Sequence, residues 1–163
     1  MRQAAAPSRR RRQTISGQSV TFLVSQVGAL SSRQWNERLR HAGLDSRAVM
    51  LFWNVATGEG RSQRELADAL RLPASRIVDL ADGLERQGWL ERRPRSGDRR
   101  AYELYLTERG RQLLDRVMAI AEDHEGDFTS GLKSAERAEL VRLLSKVAIA
   151  HRLLPKVHPD FND

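Results

Sequence analysis

Gly88 to Thr107, the run GWLERRPRSGDRRAYELYLT, decides the fold of this chain. Two short segments of strand-forming residues flank a tip that holds Ser96 and Gly97, the pattern of a β-hairpin closed by a longer, bulged loop. Between Arg92 and Arg100 five arginines stand against the single carboxylate of Asp98. That much positive charge on a small hairpin calls for an anion to neutralise it, and phosphate is the obvious one.

Immediately upstream, Ser62 to Gln87 reads as two short helices around a tight turn. Ser62 and Glu65 have the spacing of a capping box, and Leu66, Ala67 and Leu70 follow on one face. Arg71, Leu72 and Pro73 make the turn, with Pro73 expected at the first helical position, where its missing N–H costs nothing. The second helix turns Ile77, Leu80, Ala81 and Leu84 inward. Ser75, Asp79, Asp82 and Arg86 face outward, Arg76 sits at the edge, and Gly88 ends the helix. Helix, turn, helix, hairpin is a winged helix-turn-helix, so the expected fold class is mostly α, formally α+β.

Gln87–Arg92, then Asp98, Arg99 and Arg100, then Leu106–Gly110 agree in residue type and spacing with one family: the chain resembles the MarR family of regulators across about residues 16–155. The resemblance implies a homodimeric DNA-binding transcriptional regulator, in most cases a repressor relieved by a small-molecule effector. It also implies long N- and C-terminal dimerisation helices.

The flanks are consistent with that architecture. Val20, Leu23, Val24, Val27, Leu30, Trp35 and Leu39 recur at helical spacing within about residues 16–42, with Gly28, Ser31 and Ser32 as weak points and Gly43 as the stop. Asp45 or Ser46 caps a second helix, apolar nearly all round through Val49, Met50, Phe52, Trp53 and Val55. After the hairpin, Thr107 caps a long helix carrying Leu113, Leu114, Val117, Ile120 and Ala121. A break is expected over Gly126 to Gly131, and Ser134 then caps a last helix through Leu140, Leu143, Leu144, Val147, His151 and Leu154, stopped by Pro155. Residues 1–15 read as a basic, disordered arm, 16–155 as one domain and 156–163 as a tail. The first and last helices keep apolar stripes that one chain leaves uncovered, and a two-fold axis would cover them.

Composition narrows the function. At 163 residues, 40% hydrophobic and 30% charged, the chain suits one globular domain. No apolar run approaches the roughly 20 residues of a membrane span, and no apolar segment follows the charged N-terminus, so the cytoplasm is the expected location and no membrane partner is expected. The absence of cysteine rules out disulfides, thiolate zinc sites and thiol-based oxidant sensing, which part of the resembled family uses. Net charge is +7, but Arg2, Arg9, Arg10, Arg11 and Arg12 in the arm account for most of it. The local excess on the hairpin is therefore the stronger evidence for a nucleic-acid partner.

The second helix of such a motif enters the major groove with its N-terminal residues against base edges. Ser75, Arg76 and Asp79 are the reading candidates, with Arg76 suited to a bidentate contact to guanine; a salt bridge to Asp79 is its competing role. The acidic pair Asp79 and Asp82 departs from the family's usual basic reading helix. In the hairpin, Asp98 and Arg100 match the family's Asp-x-Arg tip, which implies Arg100 in the minor groove held by Asp98, with Arg95 and Arg99 on flanking phosphates. The expected partner is duplex DNA with a pseudo-palindromic site. The resemblance also implies a small aromatic or lipophilic effector, for which Trp35, Phe52 and Trp53 are the candidates. No cofactor, metal site or catalytic residues are expected: the four histidines lack ligand spacing, and His124, beside Asp123 and Glu125, reads as part of a solvated helix face. Two other readings stay open, a winged-helix module whose basic wing docks an acidic partner, supported by Asp79 and Asp82, and a metal-responsive regulator.

Overall fold

A computed structural model describes residues 19–95 and 98–153, without the side chains of residues 98–100. The elements run α1 (Val20–His41), α2 (Ser46–Ala56), β1 (Arg61–Ser62), α3 (Gln63–Leu70), α4 (Ala74–Arg86), β2 (Leu90–Arg95), β3 (Asp98–Leu106), α5 (Glu108–Phe128) and α6 (Ser134–Ala150). The arm at 1–15, the tip at Ser96 and Gly97, Leu154, Pro155 and the tail at 156–163 lie outside the described residues.

Local chemistry sets most of these boundaries. Asp45 caps α2 by accepting from the amides of Arg47 at 3.0 Å and Ala48 at 2.9 Å. The Ser62 hydroxyl accepts from the Glu65 amide at 3.2 Å while the Glu65 carboxylate accepts from the Ser62 amide at 2.7 Å, the reciprocal box read from the sequence. Gly88 follows α4 at φ 69°, a conformation that favours glycine. Its amide and that of Trp89 return to the carbonyls of Glu85 and Leu84 at 2.8 and 3.0 Å, which ends the helix and launches β2.

The sheet has the order β1-β3-β2, antiparallel throughout. Leu90 pairs with Leu106 and Arg92 with Leu104, and the register shifts between Pro94 and Arg95, the bulge expected of a long hairpin. β1 was not expected from sequence: two residues, Arg61 and Ser62, pair with Leu104 and Glu103 because the turn after α2 lies against the wing. The core gathers Phe52, Leu66, Leu70, Ile77, Leu84 and Leu104 between α2, α3, α4 and the sheet, and Leu113 and Val117 join α5 to it.

Four boundaries differ from the sequence reading. Pro73 is the residue before α4, with ψ 138°, rather than its first residue, and its carbonyl accepts from Arg76 at 3.0 Å. α5 runs through Gly126 to Phe128, because its last turns pack on α1, with His124 against Trp35 and Asp127 paired to Arg38, and that outweighs a glycine's helix penalty of about 1 kcal/mol. Lys133, not Ser134, precedes α6, and its amide is satisfied by the Glu136 carboxylate at 2.8 Å. α6 stops at Ala150 with His151 as its cap, because Arg152 turns to φ 53° and its amide closes on Ile149 at 3.0 Å.

Candidate nucleic-acid interface

α4 presents Ser75 and Asp79 to solvent, with Arg76 half-buried beside them. Among the described residues neither Arg76 nor Asp79 belongs to an ion pair, so the competing Arg76–Asp79 bridge does not form. Asp82 is different. The sequence puts it on an exposed acidic face; in the structure its carboxylate pairs with the Arg92 guanidinium, which also binds Glu85. The acidic excess on the reading helix is therefore one residue, Asp79, and the acidic-partner reading loses half of its support.

The hairpin arginines are neutralised in the same way. Arg93 donates to Glu91 at 2.9 Å and lies over the Tyr105 ring, 4.3 Å from its centroid. Arg95 sits between the carboxylates of Glu65, 3.3 Å away, and Glu103, 3.4 Å away. Arg92, Arg93 and Arg95 thus have carboxylate partners inside the chain: Arg92 and Arg95 because the hairpin packs against the acids of α4 and α3, Arg93 and again Arg95 through Glu91 and Glu103 of the wing itself. A charge count from Arg92 to Arg100 includes none of these acids. Arg99 and Arg100 complete the five; their side chains, like that of Asp98, lie outside the described residues.

Glu65 has its carboxyl held below the usual carboxylate range, first by the Ser62 amide, then by the Ser62 hydroxyl and by Arg95. Tyr105 has its phenol pushed up, chiefly by donating to Glu103 at 2.9 Å. Both groups brace the wing against α3 and the turn before β1.

The three effector candidates are dispersed. Phe52 is fully buried, Trp53 is half-buried on α2, and Trp35 turns toward α5, where its ring centroid lies 5.8 Å from that of His124. A cavity of about 110 Å³ lies between α2, the end of α4, the start of β2 and α5, lined by Leu44, Val49, Phe52, Leu84, Trp89 and Leu113 among others. Of the three aromatics only Phe52 lines it.

His124 is not on a solvated face. It lies between the Trp35 and Phe128 rings, its Nε2 is 3.2 Å from the Ser31 hydroxyl, and its Nδ1 is buried without a partner. Burial pushes its pKa down, helped by Arg38 and opposed by Glu125 and Asp127. Among the described residues no group of three or more His, Asp or Glu is placed to hold a metal. A depressed folded-state pKa means that above the unfolded value, about 6.5, both states are neutral. As pH falls below it the unfolded chain binds the proton first and stability drops. Thermal unfolding between pH 7.5 and 5.5 should therefore show a smaller pH-dependent fall in midpoint for His124→Gln than for the wild type; equal slopes would refute this origin.

A helix pair with an exposed, cation-bearing face, followed by a bulged two-stranded wing that one sheet ties to it, defines a winged helix-turn-helix protein. Residues 42–101, from the end of α1 into the wing strand β3, match the model of the MarR family. The chain is 30% identical over 114 residues to the transcriptional repressor MprA of Escherichia coli strain K12, covering 69% of this chain and 65% of that protein. It is 35% identical over 86 residues to the HTH-type transcriptional regulator PecS of Dickeya dadantii strain 3937, covering 53% and 52%. The matches thus span between about half and two-thirds of these curated relatives, which are regulators and not enzymes. The crystal structure of CouR from Rhodococcus jostii RHA1 bound to p-coumaroyl-CoA superposes with a TM-score of 0.65 at 29% identity, covering 81% of this chain and 93% of that one.

Proposed function

We propose that this protein is a homodimeric, sequence-specific DNA-binding regulator, a repressor whose grip on promoter DNA is relieved by a small aromatic or lipophilic effector. The observation that carries the reading is Arg76, unpaired among the described residues at the start of a helix whose exposed face stands beside a basic wing. MprA is named a repressor, and CouR holds an aromatic acyl thioester. Ser75 and Arg76 read base edges, Asp79 accepts from cytosine N4, and Arg100, held by Asp98, enters the minor groove. Arg99 and the arm at 1–15 contact phosphates, and Arg95 joins them by exchanging a carboxylate for a phosphate. The site of action is the cytoplasm; among the described residues no helix is long and apolar enough to cross a membrane.

The test is anisotropy titration of the protein on DNA fragments selected from its own genome. Arg76→Ala is expected to weaken binding by about 1–3 kcal/mol and to relax preference at one base position. Arg100→Ala is expected to weaken binding most on sites with narrow A-tract minor grooves. Wild-type affinity in both variants would remove the assignment of these residues.

A further inference from the structure

Arg92 has more partners than the other wing arginines with described side chains, Arg93 and Arg95, and all of them come from outside the hairpin. Its two terminal nitrogens bind two different carboxylates, Asp82 and Glu85, one helical turn apart on α4. With the Gln63 amide oxygen turned toward it, as its neighbours require, Arg92 also donates from Nε at 3.1 Å and from a terminal nitrogen at 2.8 Å. Gln63 is the first residue of α3. The Arg92 side chain keeps 20% of its surface exposed, against 40% and 39% for Asp82 and Glu85.

One planar group therefore joins the start of α3, the outer face of α4 and the first strand of the wing. Among the described residues the rest of the wing is joined to the domain at its root, through Leu90, Thr107 and the strand β1, and near its tip by the longer, more exposed pair of Arg95 with Glu65 of α3 at 3.3 Å. Rotation of the hairpin about that root would change the distance between the reading helix and the wing tip without disturbing the core. Arg92 opposes that rotation.

We propose that Arg92 is a positioning residue for DNA recognition: it sets the angle between the reading helix and the wing, so that both reach one duplex together, and it does not itself contact phosphate. The proposal rests on the DNA-binding reading above, and its test separates the two. A bidentate fork spanning two carboxylates cannot be reproduced by an ammonium group, whereas a phosphate contact can. Arg92→Lys is therefore expected to bind DNA as weakly as Arg92→Ala, about tenfold below the wild type, a typical loss for one coupled network.

The double variant Asp82→Asn, Glu85→Gln frees Arg92 and removes two charges that repel DNA, yet it should also weaken binding. The slope of log affinity against log salt should stay at the wild-type value in Arg92→Ala, because no phosphate contact is lost. The chain has no cysteine, so spin labels on Arg86→Cys and Tyr102→Cys report the angle between α4 and the wing in the free protein. A narrow distance distribution in the wild type should broaden in Arg92→Ala. Wild-type binding by Arg92→Lys, tighter binding by the carboxylate variant, a salt slope lowered by about 1, or an unchanged label distance would each overturn the proposal. A narrow wild-type label distance with no grip on any duplex would overturn the DNA-binding reading alone.

Discussion

Gly110→Ala is expected to lower the unfolding midpoint by about 5–10 °C, from a cost of about 2–3 kcal/mol for overpacking a rigid contact. A Cβ at this position would stand 2.1 Å from the Trp89 carbonyl oxygen and 3.1 Å from its carbon, and both are backbone. No side chain can swing away to make room. The same spot carries the joint between wing and α5. The Thr107 hydroxyl donates to the Gly88 carbonyl at 2.6 Å and accepts from the Gly110 amide at 2.9 Å, while the Thr107 amide donates to Trp89 at 3.2 Å. Moving Gly110 outward lengthens the capping bond and the strand pairing together. On helix propensity alone the substitution would stabilise by about 1 kcal/mol, so the sign separates the two effects. Gly126→Ala in the same helix, where a Cβ meets nothing within 4 Å in the protomer, is the control and should raise the midpoint. A rise for Gly110→Ala in calorimetry would show that α5 does not approach the wing this closely.

What could be read from the sequence was local, although the helix starts expected at Pro73 and Ser134, local signals too, each miss by one position. The Asp45, Ser62 and Thr107 caps, the Gly88 stop and the bulged hairpin depend on residues within a few positions of one another, and each stands where its spacing put it. Contacts between distant segments could not be read. Asp82 and Arg92 are ten positions apart and Glu65 and Arg95 thirty, so a window of charge counts these two wing arginines as free when α4 and α3 supply carboxylate partners. One signal was available for Arg92: Asp82 and Glu85, three apart on one helix face, lie just before the stop at Gly88 and an arginine near the start of the next strand. His124 shows the same limit, because its acidic neighbours in sequence suggest water while Trp35, far upstream, covers its ring. The end of α6 had no marker at all, since Arg152 takes a left-handed turn that sequence patterns reserve for glycine or asparagine.

Replacing Leu140 and Leu144 together with glutamate is expected to convert the proposed homodimer into single subunits and to lower DNA affinity about a hundredfold or more. α6 has no buried residue in the protomer, and Leu140, Val141, Leu144, Val147 and Ile149 keep between 42% and 77% of their surfaces exposed. The first turns of α1 do the same with Val20, Phe22, Val24 and Val27. A monomer would hold two apolar helix faces in water at opposite ends of its chain, each side chain forgoing about 1 kcal/mol of burial. In the proposed homodimer a second copy related by a two-fold axis would cover both sets at once. Since neither leucine supports the protomer core, the variant should keep its helical content while losing the partner, so that lost binding is not lost folding. Its affinity then falls because one reading helix and wing must act without the second, whose effective concentration is worth roughly 10²–10⁴. Sedimentation equilibrium reads the mass, circular dichroism the fold, and anisotropy the affinity. A wild type that sediments as a single chain, or a folded variant that still sediments as a dimer, would show that these stripes face something other than a second copy of this protein.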